Sequence, residues 1–237
     1  ADNLQQIPLA QRGEFLFTAL KPIVPFDEFV NDAAVVLCDV EPAGLKLAST
    51  REYEVNAHWA LYCENYLEGF HIPFVHKSLN EVVDYGTYKT ETFRYSSLQT
   101  AMSAPGAVAT GFFSSGARGN PVATPTRRGS DQDIAARYLF IFPNTMFNFY
   151  PWGISVNVVE PLTPSKTRVR FLTYIADDSK IEEGAAADLH GVEMEDETVV
   201  ESVQKGIRSR YYSHGRYSPT REQGTHHFHR LIEDFLS

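Results

Sequence analysis

Apolar and polar positions along the chain follow two periods, one close to two residues and one close to 3.6. Short apolar runs rich in aromatic and β-branched residues occupy the middle of the chain, and turn-forming sequences at Pro143 and Pro151 separate three of them. Turns this short join antiparallel neighbours, because a parallel crossover needs about a dozen residues or more. The strands predicted by this pattern are residues 51–55, 93–102, 138–142, 145–150, 154–159 and 167–174.

Helical periodicity dominates on both sides of the strands. Apolar residues fall at helical spacing over residues 56–70, and Pro73 is expected to end or kink this helix because it lacks an N–H donor. Apolar residues repeat in the same way over 199–207 and 228–235, which predicts two more helices. The order of elements indicates an α+β fold, with a curved antiparallel sheet and helices packed on one face.

Two further segments carry weaker patterns. Residues 14–30 start as a strand-like apolar run, pass two prolines and end as an amphipathic turn. Residues 114–131 are rich in Gly, Ser, Pro and Arg, so they are expected to form a surface loop.

The charge balance argues against some classes of partner. The net charge is −9 and no basic run is longer than two residues, which argues against nucleic acid or an anionic membrane as the main partner. No apolar stretch approaches the length of a bilayer span, and the N-terminus lacks the plan of a signal peptide. We therefore expect a cytoplasmic location.

The cysteine content limits the cofactors that these residues can hold. The two cysteines, Cys38 and Cys63, are expected to be reduced core residues, and neither lies in a CxxC or CxH pattern. No thiolate-ligated zinc site or iron–sulfur cluster can therefore be built from these 237 residues alone.

Two histidines near Pro73 are the first candidates for chemistry. On a regular helix His71 and His76 would diverge by about 140°, given 3.6 residues per turn. Rewinding of the chain at Pro73 could bring both imidazoles to one point. The alternative is a pair of ordinary histidines at a helix end, one of them buried and hydrogen-bonded.

Carboxylates complete the candidate site. Glu68 lies three residues before His71 and can share its helix face, and Asn65 adds another polar group. Such a polar helix end is costly to bury unless its groups bind something or each other. The acidic cluster at 193–201 is predicted to begin a helix, where it either compensates the helix dipole or turns one carboxylate inward as a ligand. Two His and one carboxylate, with open positions, form the facial site of non-haem iron(II) oxygenases.

These features resemble the catalytic domain of the Rieske non-haem iron aromatic-ring-hydroxylating oxygenases, large (α) subunit. The pattern ENYxExxHxxxxH over residues 64–76 carries the resemblance, together with the aromatic strands at 138–161, the acidic helix at 193–209 and the terminal sequence EQGTHHFHRLIEDFL. The resemblance covers roughly residues 14–237. It implies a helix-grip (START/Bet v 1-like) domain, usually assembled as a homotrimer.

The resemblance also implies roles for individual residues. His71 and His76 would be the imidazole ligands of the iron, and Asp196 the carboxylate ligand, chosen over its acidic neighbours by the family pattern alone. Glu68 would be the acid that links this iron to the Rieske cluster of the next subunit. Asn65 would lie near the iron.

The function implied is that of an oxygenase, active in the catabolism of aromatic hydrocarbons, that uses mononuclear Fe(II) and O2 to hydroxylate an aromatic or other small organic substrate. The Rieske [2Fe-2S] ligand pairs of the family are missing from this sequence, so a Rieske protein or a reductase is expected as electron donor. Residues 1–30 resemble the end of a Rieske domain or a linker, and residues 31–237 the catalytic domain. The sequence is either a truncated product or a chain that has lost its cluster.

The substrate and two rival functions stay open at this point. Phe142, Met146, Phe147 and Tyr150 are candidates for the wall of the substrate pocket, with plain core residues as the alternative. The aromatic strands could cage a quaternary amine by cation–π attraction or sandwich an aromatic ring, and we expect an aromatic compound. The rivals are a zinc hydrolase with the same ligands and Glu68 as general base, and a non-catalytic ligand-binding domain with a relic metal site.

Overall fold

A seven-stranded antiparallel sheet forms the centre of the protein, in the order β3-β9-β8-β7-β6-β5-β4, and a separate hairpin pairs β1 with β2. The computed structural model describes residues 6–13, 15–38, 45–105, 134–150, 152–175 and 189–237. The strands are β1 (Leu9–Arg12), β2 (Phe15–Thr18), β3 (Lys46–Val55), β4 (Val83–Thr92), β5 (Ser96–Ser103), β6 (Ile134–Ile141), β7 (Thr145–Tyr150), β8 (Gly153–Thr163) and β9 (Lys166–Ile175). The helices are α1 (Phe26–Cys38), α2 (Trp59–Tyr66), α3 (Ile72–Val75), α4 (Lys77–Val82), α5 (Leu189–Gly206) and α6 (Gln223–Leu236).

The chain crosses the sheet once between its two edges. Strands β4 to β9 pair with their neighbours in sequence, but β3 pairs with β9 and therefore lies at the edge opposite to β4. Helices α2, α3 and α4 connect these two edge strands. The predicted α+β class, with an antiparallel sheet and helix-grip architecture, is confirmed.

Side chains alternate between two cores on the faces of the sheet. On one face Phe140 and Met146 pack with α2, α5 and α6. On the other face Leu139 and Phe147 pack with α1, which therefore covers the side of the sheet away from the other helices. Neighbouring residues of one strand serve different cores because side chains in a strand point alternately to its two faces.

The helix predicted over 56–70 is shorter than its apolar pattern. It ends at Tyr66, and the Leu67 backbone N–H caps it by donating to the carbonyls of residues 63 and 64. Gly69 follows, where a Cβ would lie only 2.9 Å from a ring carbon of Tyr88. Pro73 does not end this helix. It occupies the first turn of α3, where the missing N–H costs nothing because that donor has no partner within the helix.

Other predicted elements also differ at their ends. Helix α1 has 13 residues where only an amphipathic turn was expected. Strand β4 was not predicted, because its sequence VDYGTYKTET is mostly polar, as suits an edge strand that is half exposed.

The loop expected at 114–131 lies outside the described residues. Cys63 is buried with a free thiol, and no described helix is long and apolar enough to cross a membrane.

Candidate metal centre

A single short helix brings the two predicted histidines together. His71 precedes α3 and His76 follows it, so that one four-residue turn lies between them. This turn directs both rings to the same point, where their Nε2 atoms are 3.1 Å apart. The rewinding expected at Pro73 is therefore the replacement of a long helix by α3.

Asp196, from the distant helix α5, completes a triangle of ligand atoms. Its Oδ1 lies 3.0 Å from Nε2 of His76 and 3.4 Å from Nε2 of His71. Three ligands at right angles around one ion, each about 2.1 Å from it, would lie about 3.0 Å apart. Within the described residues these three side chains form the one group of at least three His, Cys, Asp or Glu suited to hold a metal ion. The donor set and its spacing fit an ion bound on one face.

A second ring of carboxylates sets the orientation of both histidines. His71 Nδ1 donates to Glu68 Oε1 at 2.6 Å, and His76 Nδ1 donates to Glu195 Oε2 at 2.7 Å. A carboxylate only accepts, so each Nδ1 carries a proton and each Nε2 points to the centre, where its lone pair is free to bind a metal once the ring is neutral. Such outer carboxylates are typical of metal-bound histidines.

The residues predicted beside the metal also contact this centre. Asn65 Nδ2 donates to Asp196 Oδ1 at 2.6 Å and so orients the carboxylate. Glu68 also accepts hydrogen bonds from the backbone N–H groups of Phe70 and of His71, the latter at 3.2 Å. Its side chain is only 14% exposed.

Electrostatics make this a site of high affinity for positive charge. Burial by itself lowers the pKa of His71, but the carboxylates of Asp196 and Glu68 outweigh it and raise that pKa to about 9. The pKa of His76 is raised as well, against the effect of burial, by Asp196 and Glu195. Burial would raise the pKa of Asp196, but its hydrogen bonds to the two histidines lower it to about 2. Before a metal binds, protons therefore supply the positive charge that the centre requires.

The acids of α5 are not arranged for helix-dipole compensation. The first turn of the described helix contains no acidic residue, and the acidic cluster begins in its second turn. Glu195 and Asp196 face the two histidines, whereas Glu201 accepts from the backbone N–H and the side chain of Asn56 at 2.9 and 2.8 Å. These acids bind specific partners across the fold, which the sequence pattern alone left undecided.

A cavity opens beside the three candidate ligands and contains about 760 Å³ of empty space, including its open mouth. Five tyrosines from α2 and the sheet contribute to its wall: Tyr62, Tyr66, Tyr88, Tyr138 and Tyr150. Burial raises the pKa of each of these phenols, so they stay protonated. The wall of the cavity is therefore aromatic and uncharged on this side.

Three of the four residues predicted for the pocket lie elsewhere, and only Tyr150 lines the cavity. Phe147 points to the opposite face of the sheet and packs in the core under α1. Met146 and Phe142 share the face of Tyr150 but lie in the core beside Phe228 of α6. Aromatic content alone did not distinguish these positions, since it specifies neither the face nor the distance along the strand.

Polar residues within the apolar strands were the signal that sequence reasoning missed. Asn148 and Asn157 both line the cavity although they are buried in the sheet. The Tyr66 hydroxyl donates to Asn148 Oδ1 at 2.9 Å, and Asn148 Nδ2 donates to Asn157 Oδ1 at 3.2 Å. A buried amide in a strand needs such partners, so its presence in an apolar run points to a polar cavity.

Comparisons with known proteins agree on one family. The family model for the ring hydroxylating alpha subunit (catalytic domain) matches residues 43–237. Choline monooxygenase of Arabidopsis thaliana is 35% identical over 192 residues, which cover 78% of this chain and 41% of that protein. Choline monooxygenase of Spinacia oleracea is 28% identical over 200 residues, with 81% and 41% covered. The chain thus spans about two fifths of the length of these relatives.

Solved structures share the fold at lower identity. The quaternary ammonium Rieske monooxygenase CntA, in complex with an inhibitor, superimposes with a TM-score of 0.72 and 20% identity, covering 98% of this chain and 62% of that one. Naphthalene 1,2-dioxygenase with indole bound in its active site superimposes with a TM-score of 0.69 and 15% identity, covering 95% and 63%.

Proposed function

Since this chain belongs to the ring-hydroxylating alpha-subunit family and carries its catalytic domain, we propose that it binds one Fe(II) ion through His71, His76 and Asp196 and serves as the catalytic domain of an oxygenase. The observation that carries the proposal is the triangle of ligand atoms, with no edge longer than 3.4 Å, at the wall of an aromatic cavity. Iron bound there would supply the activation of O2 for hydroxylation of a substrate in that cavity.

The protein's own residues have separate tasks in this scheme. The two imidazoles and Asp196 hold the ion on one side and leave the cavity side open. Glu68 and Glu195 hold the Nδ1 protons, which keeps each Nε2 lone pair directed at the ion. Asn65 keeps the ligand oxygen of Asp196 in place.

The zinc hydrolase is disfavoured by the position of Glu68. A general base must reach the water that it deprotonates. Three hydrogen bonds already occupy Glu68, one from the Nδ1 proton of His71 and two from backbone N–H groups. Glu68 therefore serves as an orienting acid on the far side of His71, which disfavours it as the base.

Electron supply and assembly form a further part of the proposal. We place the donor outside these residues, in a Rieske-containing protein, domain or reductase, because the two cysteines here cannot ligate a cluster. Glu68 binds His71 on the side away from the ion, so it is the group through which that donor would connect to the iron. The homotrimer, the division of the chain at residue 30 and the cytoplasmic location stay predictions.

For the substrate we propose a small quaternary ammonium compound in place of the aromatic compound that the sequence suggested. The faces of the cavity tyrosines attract an organic cation, since the face of an aromatic ring is electron-rich. Two of the similar proteins named above are choline monooxygenases, and one of the solved structures is a quaternary ammonium monooxygenase.

An anaerobic titration with Fe(II) tests the metal proposal. The unmodified protein is expected to bind one equivalent, whereas His71→Ala and Asp196→Ala are expected to lose stoichiometric binding. His214→Ala is the control, since His214 is exposed and hydrogen-bonds only to its neighbour Ser213 among the described residues. Equal Fe(II) binding by both ligand variants and the unmodified protein would contradict the proposal. Stoichiometric zinc with hydrolytic activity, in protein purified without added metal, would favour the rival.

A further inference from the structure

The cavity contains a buried acid that the metal centre does not use. Glu193 lies on α5 one helical turn before Asp196, lines the same cavity, and is only 5% exposed. Unlike Glu195, it makes no hydrogen bond to either histidine. A carboxyl group so far removed from water requires a partner, because burial of an unpaired charge is costly.

Tyr62 supplies only part of what this carboxylate can accept. The Tyr62 hydroxyl lies 2.8 Å from each oxygen of Glu193, so its single proton is shared between them. Across the described ranges this hydroxyl is the one donor that reaches Glu193. An ionised carboxylate offers about four acceptor positions, so Glu193, which lines the cavity, keeps acceptor positions that no donor of the described residues fills.

The missing partner is either a proton or a cation from outside the protein. Burial and the nearby charge of Asp196 raise the pKa of Glu193. Its hydrogen-bond partner among the described residues is the neutral Tyr62 hydroxyl and not a cationic side chain. Glu193 belongs to no group of three or more potential metal ligands in the described residues, so a metal ion is not its expected partner. An organic cation fits better, since aromatic side chains such as Phe171 and Tyr66 contribute to the same cavity wall, together with polar and aliphatic ones.

We propose that Glu193, held in place by Tyr62, is the subsite that recognises the cationic nitrogen of the substrate and selects it over a neutral molecule of the same shape. This inference rests on the proposed function, because it assigns a specificity-determining residue to the same cavity. Glu193 and Asp196 lie on one helix, so the bound cation and the metal ligands keep a fixed spacing. Placement of the substrate relative to the iron therefore follows from the rigidity of α5.

A pair of ligands that differ only in charge tests the role of Glu193. Choline and 3,3-dimethylbutan-1-ol have the same shape, but only choline has a charged nitrogen. We measure their binding to Fe(II)-loaded protein by calorimetry without O2, so that no turnover occurs. The unmodified protein is expected to prefer choline by roughly tenfold or more, as removal of one partner of a buried charge pair commonly costs at least that much in affinity.

Variants of Glu193 separate its charge from its hydrogen bond. Glu193→Gln keeps the acceptor for Tyr62 and the volume of the side chain but removes the charge. The preference for choline over the neutral ligand is therefore expected to fall sharply, to the part that the tyrosine faces supply. Glu193→Asp keeps the charge and is expected to retain part of the preference. The matched control is Glu233→Gln, since Glu233 is 75% exposed on α6, and it is expected to bind both ligands like the unmodified protein.

The outcomes distinguish this inference from the metal proposal. Failure of the unmodified protein to bind Fe(II) counts against the metal proposal. Normal Fe(II) binding without a preference for choline overturns the role of Glu193, and so does a preference of unchanged size in Glu193→Gln. If Glu193→Gln does not fold, the unmodified protein and Glu193→Asp still test the inference, because the absence of a preference for choline in both proteins would contradict it.

Discussion

The sequence contains two separate clusters of histidines, and only one of them converges on a common point in the folded protein. His71 and His76 converge, with their Nε2 atoms 3.1 Å apart and Asp196 beside them. His226, His227 and His229 lie on the continuous helix α6, and they do not converge on a common point. Histidine density is thus a poor guide to a metal site.

Each histidine on α6 has a different environment. The His226 ring packs 5.0 Å from the ring of Tyr217. His229 Nε2 donates to Glu64 Oε1 at 2.9 Å, and its Nδ1 hydrogen-bonds to the Tyr217 hydroxyl. On a regular helix residues advance by about 100° each, so neighbouring side chains fan out around the axis. His71 and His76 converge because a short helix separates them and a second helix delivers the acid.

His227 of α6 differs from His71 and His76 in the direction of its pKa shift. Carboxylates outweigh burial and raise the pKa of His71 to about 9, and they raise that of His76. Burial lowers the pKa of His227 because no comparably close carboxylate opposes it. A place that stabilises a proton on buried imidazoles through nearby carboxylates also stabilises a metal cation, so the direction of the shift distinguishes His71 and His76 from His227.

The largest expected effect comes from removal of one converging histidine. His76→Ala is expected to weaken Fe(II) binding by more than about 100-fold, since loss of a direct ligand exceeds the cost of losing an outer partner. The double variant His226→Ala with His229→Ala is expected to bind one equivalent of Fe(II), like the unmodified protein. Anaerobic Fe(II) titration measures both. Equal losses in the two variants would show that the comparison between the groups is wrong.

A smaller effect is expected on stability. Fe(II) at 100 times its dissociation constant should raise the free energy of unfolding by about 2.7 kcal/mol, because it binds only the folded state. Denaturant unfolding with and without Fe(II), under nitrogen, measures the difference. The increase should persist in the double variant on α6 and vanish in His76→Ala. An increase of the same size in His76→Ala would place the bound iron elsewhere.

The outer carboxylates are expected to matter less than the ligands. Glu68→Gln and Glu195→Gln each remove an acceptor of a ligand Nδ1 proton, which typically costs about 10–100-fold in metal affinity. We expect Glu68→Gln near the upper end, as its side chain is 14% exposed, and Glu195→Gln near tenfold, as its side chain is 47% exposed. Fe(II) titration ranks the two. Unchanged affinity in both variants would contradict the role of these acids.

The smallest effect is expected at the ion pair of α6. Glu64→Gln removes the charge that faces His229, and both side chains are about one third exposed. Such a pair typically contributes less than about 1 kcal/mol, so urea unfolding should show a loss below that value. Fe(II) affinity should not change. A change in Fe(II) affinity would connect the second histidine group to the metal centre.

Much of the sheet followed from local patterns. The segments at 145–150, 154–159 and 167–174 lie within strands, and the segment at 138–142 does so up to Ile141, because β-branched and aromatic runs between turn residues favour the extended chain. Strand β4 was not predicted, since a partly exposed edge strand lacks the regular alternation of apolar and polar residues that identifies a strand in the sequence. Helix α2 was predicted too long, because the apolar pattern continues past Tyr66, where the helix ends with Leu67 as its C-cap.

By itself the sequence determined the antiparallel order of the strands and, through its resemblance to a known family, the three candidate ligands. Only the tertiary structure decided which acids serve which partners. Glu193, Glu195 and Asp196 lie within one helical turn, yet one faces Tyr62, one His76 and one the metal position. The physical reason is that the linear sequence does not specify how α5 is rotated against α2 and α3. A rotation of about 100° per residue sends adjacent acids to different neighbours.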